Sequence, residues 1–210
     1  MRYLLLLLFM LIGLSGSTQN IKAGLIFGFN ATQVDGDGVA GYHKLGWNFG
    51  TTAFIPLEER FSISIELLYA QKGSRSVVDR YNPGNYYLLR LSYADVPILF
   101  NFHDKGKVIF GGGISIGTLV GFKEEIDGVE NVFEDTPYFT RDYNIIANGT
   151  FLATQRFGVN IRFAYSIVPI GTGVPYPGGG STPPNSQFSN IVTFRLIYFL
   201  NDMMRQADLK

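Results

Sequence analysis

Phe157-Gly-Val-Asn-Ile-Arg-Phe-Ala-Tyr-Ser-Ile167 is the stretch that decides the fold. Successive side chains of a strand point to opposite sides, so the stretch splits into two columns. One column holds Phe157, Val159, Ile161, Phe163, Tyr165 and Ile167; the other holds Gly158, Asn160, Arg162, Ala164 and Ser166. A soluble barrel or sandwich would turn the apolar column inward and give water the polar one. Here the polar column is mostly small, which suits a crowded interior, since eight strands leave only enough width for side chains. The bulky aromatic column then suits lipid.

The same split recurs along the chain. Ile21, Ala23, Leu25, Phe27 and Phe29 oppose Lys22, Gly24, Ile26, Gly28 and Asn30. Leu45, Trp47, Phe49, Thr51, Ala53 and Ile55 oppose Lys44, Gly46, Asn48, Gly50 and Thr52. Phe61, Ile63, Ile65, Leu67 and Tyr69 oppose Ser62, Ser64, Glu66, Leu68, Ala70 and Lys72. Val108, Phe110, Gly112, Ile114 and Ile116 oppose Ile109, Gly111, Gly113, Ser115 and Gly117. Two further segments, Asp142–Phe151 and Ile191–Tyr198, follow the rule less sharply. In the fourth segment Ala94, Val96, Ile98 and Phe100 oppose Asp95, while Tyr87-Leu-Leu-Arg-Leu91 alternates out of phase with them. Pro97 cannot donate to a ladder, so a bulge or irregular edge is expected there. The apolar columns carry no mid-strand charge, and a Lys or Arg facing the bilayer midplane costs about 2–4 kcal/mol.

Eight segments imply seven connections, and these alternate. Those near 31–41, 73–86, 121–138 and 169–187 are long and polar; those near 56–60, 103–106 and 153–156 are short. Tight periplasmic turns and long outer loops are the plan of a bacterial outer-membrane barrel. A soluble sandwich, the alternative, has no reason to place every long loop at one end. Aromatics cluster accordingly. Phe61, Phe102, Phe110, Phe151, Phe157 and Tyr198 lie by the short turns, and Phe29, Tyr42, Tyr69, Tyr143 and Tyr165 lie toward the long loops. This predicts two interfacial girdles, although strand propensity alone also favours Phe and Tyr.

Arg2 followed by the apolar run Leu4 to Leu14 and by Ser15-Gly16-Ser17 reads as a secretory signal peptide cleaved after Ser17, with Thr18 as the alternative. The expected division is therefore a signal peptide over 1–17 and one barrel domain over 18–210, with a short polar tail over 201–210. With no cysteine, the chain is neither a lipidated lipoprotein nor a disulfide scaffold. Removing Arg2 from 17 basic residues leaves 16 against 17 acidic ones, which gives no footprint for nucleic acid. The fold class expected is all-β: an eight-stranded antiparallel up-and-down transmembrane β-barrel in the outer membrane.

Five stretches carry a family resemblance: Lys22-Ala-Gly-Leu-Ile-Phe-Gly-Phe-Asn30, Gly46-Trp-Asn-Phe-Gly50, Ile65-Glu-Leu-Leu-Tyr-Ala-Gln-Lys-Gly73, Leu91-Ser-Tyr-Ala-Asp-Val-Pro-Ile-Leu99 and Val108-Ile-Phe-Gly-Gly-Gly113. In this order the chain resembles the PorT-like outer-membrane β-barrel family of Gram-negative bacteria. The resemblance implies an eight-stranded barrel and, for one branch, a role in assembling a protein-export machine. It makes envelope or secretion-machinery proteins candidate partners. Barrels of this kind commonly end on an aromatic residue, whereas here Tyr198-Phe199 is followed by Leu200 to Lys210, a tail expected in the periplasm.

The polar columns place Lys44, Glu66, Asp95, Arg162 and Arg195 in the lumen on neighbouring strands. Isolated buried charges are costly, so a paired structural plug is expected; a gated proton or ion path is the functional alternative. No catalytic, cofactor or metal residue is assigned, and no cofactor is expected. His43 and His103 fall at opposite ends, which disfavours a shared metal site. His43 alone could act as a rim base on outer-leaflet lipid, the least favoured reading. Asp35-Gly-Asp-Gly38 lacks the later ligands of a calcium loop and reads as a turn. Glu124, Glu125, Asp127, Glu130, Glu134 and Asp135 form an acidic loop that either stays solvated or holds divalent cations bridging lipopolysaccharide. Outer-membrane lipid and lipopolysaccharide are thus the expected surroundings. Function is read as a non-enzymatic structural or assembly barrel, with loop-mediated surface binding as the alternative.

Overall fold

The computed structural model describes residues 21–58, 60–77, 86–104, 107–131, 137–171 and 186–203. The predicted signal peptide and residues 204–210 of the tail lie outside them. The strands are β1 (Lys22–Asp35), β2 (Lys44–Glu58), β3 (Phe61–Arg75), β4 (Tyr87–His103), β5 (Val108–Ile126), β6 (Val129–Glu130), β7 (Arg141–Leu152), β8 (Phe157–Ser166) and β9 (Phe188–Phe199). Each long strand pairs antiparallel with the next, and β1 also pairs with β9, so eight strands close into an up-and-down barrel. β6 only returns along the end of β5. Its turn is Asp127-Gly128, with φ of 52° and 78°, the left-handed pair that a two-residue hairpin needs.

Closure explains why these residues form strands. Every backbone group of a spanning segment must be bonded within the protein, and a closed barrel leaves no edge in lipid. The two columns fall as expected. Leu25, Phe27 and Phe29 of β1 are exposed while Ile26 and Asn30 are buried, and Val159, Ile161 and Phe163 of β8 are exposed while Asn160 and Arg162 are buried. Connections 59–60, 104–107 and 153–156 share one end with both strand termini, and 36–43, 76–86, 127–140 and 167–187 share the other. The girdle residues on strands stand on the outward column, with contacts such as Phe61 on Phe100 and Phe49 on Tyr69, while Tyr42 lies in the connection before β2.

Two details differ from the expectation. β4 does not change phase: Tyr87, Leu89, Leu91, Tyr93, Asp95, Leu99 and Asn101 all face inward. Its outer half carries its apolar residues inside because that half stands above the bilayer, over an apolar cap. The bulge lies between β4 and β5 rather than at Pro97. Ser92 pairs Gly121 and Tyr93 pairs Leu119, so Val120 is the extra residue. At Pro97 the expected irregularity is an interrupted ladder without a bulge. The β3–β4 pairs stop at Ile65 with Ile98 and resume in the same register at Leu68 with Asp95, while Pro97 keeps its register with Ser115 of β5. The strands also run further out than the sequence gaps suggest, with β1 reaching Asp35 and β5 reaching Ile126.

The interior is stacked in layers. At the periplasmic end Ile26, Phe54, Leu68, Ile109, Leu152, Ile197 and Phe199 form an apolar floor, with Met203 packed on it. The start of the tail folds back under that floor. Leu200 N donates to Ala23 O at 2.8 Å, Met203 N donates to Gln155 O at 2.8 Å, and Arg156 pairs Asp202 at 2.6 Å. Leu99, Ile146, Ala164 and Ile191 fill the middle. Beneath the outer loops Val34, Tyr87, Leu89, Leu91, Tyr93, Tyr138 and Ile170 form the cap.

Candidate functional site

Between the apolar layers lie two groups of charges. The lower joins β3, β8 and β9: Glu66 Oε1 accepts from Arg162 Nη2 at 2.8 Å, and Glu66 Oε2 accepts from Arg195 Nη1 at 2.9 Å. Asn160 Oδ1 accepts from Arg195 Nη2 at 2.7 Å and Nε at 2.9 Å, and its amide donates to Thr150 Oγ1 at 2.7 Å. Asn148 Oδ1 accepts a second bond from Arg162 Nη2 at 3.2 Å. One carboxylate thus serves two guanidiniums, and neutral amides accept three further bonds from them, while the buried Arg162 Nε has no partner among the described residues. Charge-assisted bonds of this kind are the strong ones.

The upper group has the opposite balance. Lys72 Nζ of β3 lies 2.7 Å from Asp142 Oδ2 of β7 and 3.0 Å from Asp95 Oδ2 of β4. Ser166 Oγ donates to Asp142 Oδ1 at 2.7 Å, and the Lys72 ammonium stands 4.6 Å from the centre of the Tyr93 ring. Gly117 makes room for Asp95, because a Cβ there would sit 2.1 Å from Asp95 Oδ1. The void between the groups, touched by Lys72, Asp95 and Arg162, measures about 20 Å³. That is space for about one water molecule.

Of the five lumen residues named from the sequence, Glu66, Arg162 and Arg195 meet in the lower group and Asp95 belongs to the upper. Lys44 joins neither; it stands at the outer end of β2, its Nζ donating to Leu45 O at 2.7 Å. Lys72 and Asp142 complete the upper group and were not among the five. Their signal was present, since both share the inward parity of their strands, but each sits beside a long connection and resembles a rim residue.

At the outer end Asp37 is buried in the turn after β1, where its Oδ1 accepts from Val39 N at 2.8 Å. Burial pushes its carboxyl up to about 6. Tyr87 hydrogen bonds both Tyr138 and Glu124 beneath the same loops. The acidic segment is largely engaged within the protein: Glu125 and Glu130 pair Lys123 at 2.8 and 3.2 Å, and Asp127 Oδ1 accepts from Tyr86 N at 2.8 Å. Glu134 and Asp135 lie outside the described residues. His43 is at the outer rim and His103 at the periplasmic end of β4, where its Nε2 is 2.7 Å from Ser62 Oγ. Among the described residues, no three acidic or histidine side chains are grouped to hold a metal ion.

Solved structures of similar shape are outer-membrane barrels. Ail, the attachment invasion locus protein of Yersinia pestis, is 14% identical with a TM-score of 0.48, over 85% of this chain and 98% of its own. Ail in complex with the heparin analogue sucrose octasulfate aligns at 0.50 and 13% identity, over 86% of this chain and 99% of its own. Neisserial surface protein A aligns at 0.44 and 10% identity, over 85% and 94%. At such identities the likeness concerns the fold alone. No curated protein matches the sequence. The model of the outer membrane protein beta-barrel domain family matches residues 17–170, most of the closed barrel, and the chain belongs to that family.

Proposed function

We propose that this protein is a non-enzymatic outer-membrane barrel with a structural or assembly role, its lumen serving as a plug rather than a path. The observation that carries this reading is the filled interior. Two charge groups and three apolar layers are stacked across it, and the void between the charge groups, about 20 Å³, has room for about one water molecule. The work then falls to the surfaces: the periplasmic floor, the lipid-facing wall and the outer loops. The PorT-like stretches, which lie on β1 to β5, support a part in assembling a protein-export machine through envelope partners. His43 as a rim base has little support, because its side chain has no hydrogen-bond partner among the described residues.

Quantitative proteomics of the culture medium tests the export role, comparing a strain without this gene with its parent. Selective loss of secreted proteins, with precursors retained in the cell, is the expected result. An unchanged set of secreted proteins would set the export role aside and favour binding through the outer loops. The gathering of all four long connections at one end supports that second reading. It predicts that deleting 174–184 abolishes function while the barrel still assembles.

A further inference from the structure

The wall of the barrel has a seam. β1 and β2 stay paired to the outer end, as far as Thr32 with Lys44, and β3 and β4 stay paired to Arg75 with Leu88. Between them the β2–β3 ladder stops at Asn48 with Ala70. Above that point 44–47 and 71–75 run side by side without ladder bonds. β1 bridges the gap from inside: Asn30 Nδ2 donates to Gln71 O at 2.9 Å and Thr32 Oγ1 donates to Gly73 O at 2.8 Å. Gly46 allows the approach, since a Cβ there would meet Gln71 O at 2.4 Å.

On the outside the seam is a cleft of about 710 Å³. Its lower wall is apolar and faces lipid, through Phe29, Leu45 and Trp47, all on the exposed column. Its upper wall carries the exposed Arg75 and Arg90, with the buried Lys44 behind them. The cations are close enough to repel one another, and among the described residues none of them pairs with a carboxylate. Arg75 instead lies over the Tyr86 ring at 5.8 Å. The level in the membrane follows from the outward column, which passes from Tyr69 to Gln71 to Arg75 on β3 and from Ala94 to Ser92 to Arg90 on β4. The cleft therefore straddles the boundary between acyl chains and headgroups.

We infer that this cleft binds a phosphorylated lipid of the outer leaflet, with its phosphate between Arg75 and Arg90 and an acyl chain along Phe29, Leu45 and Trp47. Guanidinium groups bind phosphate oxygens in a planar, bidentate fork, and clustered cations without anions gain most from such a ligand. A soluble anion would satisfy the upper wall only. The open amphipathic seam, continuous with the lipid-facing surface, favours the lipid. The inference rests on outer-membrane placement and is independent of any role in assembly.

Trp47 is the single tryptophan of the chain and lines the cleft, so its emission reports occupancy directly. The barrel, refolded in a phosphate-free detergent, is titrated with bis-phosphorylated lipid A, with dephosphorylated lipid A and with inorganic phosphate. The phosphorylated lipid is expected to give a saturable change, and the dephosphorylated lipid to bind about tenfold or more weakly. Inorganic phosphate at millimolar concentration is expected to give none. The double variant R75Q/R90Q, altered only at exposed side chains, should lose binding by a similar factor while remaining heat-modifiable on gels. R141Q, at the outer end of β7, should bind as the parent does. Equal response to both lipids, unchanged binding by R75Q/R90Q, or equal loss in R141Q would overturn the inference. So would saturation by inorganic phosphate alone, or a dimer in micelles whose Trp47 responds to neither lipid.

Discussion

The membrane-embedded lumen and the cap beneath the outer loops both bury ionisable groups, and they treat them in opposite ways. In the lumen each charge has a partner of opposite sign: Glu66 holds Arg162 and Arg195, and Lys72 holds Asp95 and Asp142. The lower group carries one excess positive charge and the upper one excess negative charge, so the stack balances only as a whole. In the cap Asp37 is as buried as these residues but has no cation among the described residues. The difference follows the solvent. Deep in the bilayer a lone charge has neither water nor partner, and only pairing makes its burial tolerable. Near bulk water a carboxyl can meet the same cost by taking up a proton.

If pairing is obligatory in the lumen, its loss should be the largest effect in the molecule. Glu66→Gln leaves two guanidiniums facing each other, and a guanidinium cannot shed its charge by losing a proton. Breaking a buried pair from one side costs about 3–5 kcal/mol. Urea unfolding in micelles, read by heat-modifiability, should therefore show a collapse of stability, or the variant should fail to give the compact band at all. A variant as stable as the parent would break the comparison, because it would mean that water reaches this layer.

Lys72→Met is the matching experiment on the upper group and should do less harm, of order 2–3 kcal/mol, because a stranded carboxylate has an escape that a guanidinium lacks. It also keeps Ser166 as a donor to Asp142. A loss equal to or greater than that of Glu66→Gln would show that the sign of the stranded charge does not matter here. The arithmetic of whole-stack balance would then be the stronger constraint.

How much of this was legible in the sequence follows the same boundary. Within the bilayer the solvent on the two faces of a strand differs so strongly that parity alone places a residue. Arg162 between Ile161 and Phe163 had to point inward, and Glu66 between Ile65 and Leu67 likewise. Parity does not say which inward charges meet, because that depends on barrel tilt and on partners as distant in sequence as Glu66 and Arg195. Lys44 and Lys72 are both inward by parity, yet one stands at the rim and the other in the lumen. Above the bilayer the rule fails for a physical reason. Tyr87, Leu89 and Leu91 turn inward because the cap needs an apolar filling, and the outward column opposing them is Leu88, Arg90 and Ser92, mostly polar. The out-of-phase reading of β4 was a change of solvent along one strand. The true phase change, at Val120 and Gly121 of β5, sits where the glycine and the bulge leave no pattern to read. The seam between β2 and β3 was equally hidden, since ladder bonds that are absent leave no mark on alternation.

The cap supplies the most specific predicted effect, and one confined to the outer turn, because its mechanism fixes the direction of a pH dependence. The carboxyl of Asp37 is raised by burial from 3.8 to about 6. The folded turn therefore holds its proton to higher pH than the opened turn does. Its contribution is full below about pH 4 and is lost as pH rises through about 6. Over that window the change is of order 2–3 kcal/mol if the turn opens fully to water. Hydrogen-exchange protection over 34–43 and 86–93, corrected for intrinsic rates, should fall between those limits and level off above them. The lumen strands should show no matching change. Asp37→Asn keeps an acceptor for Val39 N without the charge, so it should flatten the dependence and leave the cap more protected than the parent at pH 7. If the variant still loses protection through the same window, the proton is held elsewhere in the cap. If the lumen strands follow the same curve, the separation between a region that pairs its charges and one that protonates them does not hold.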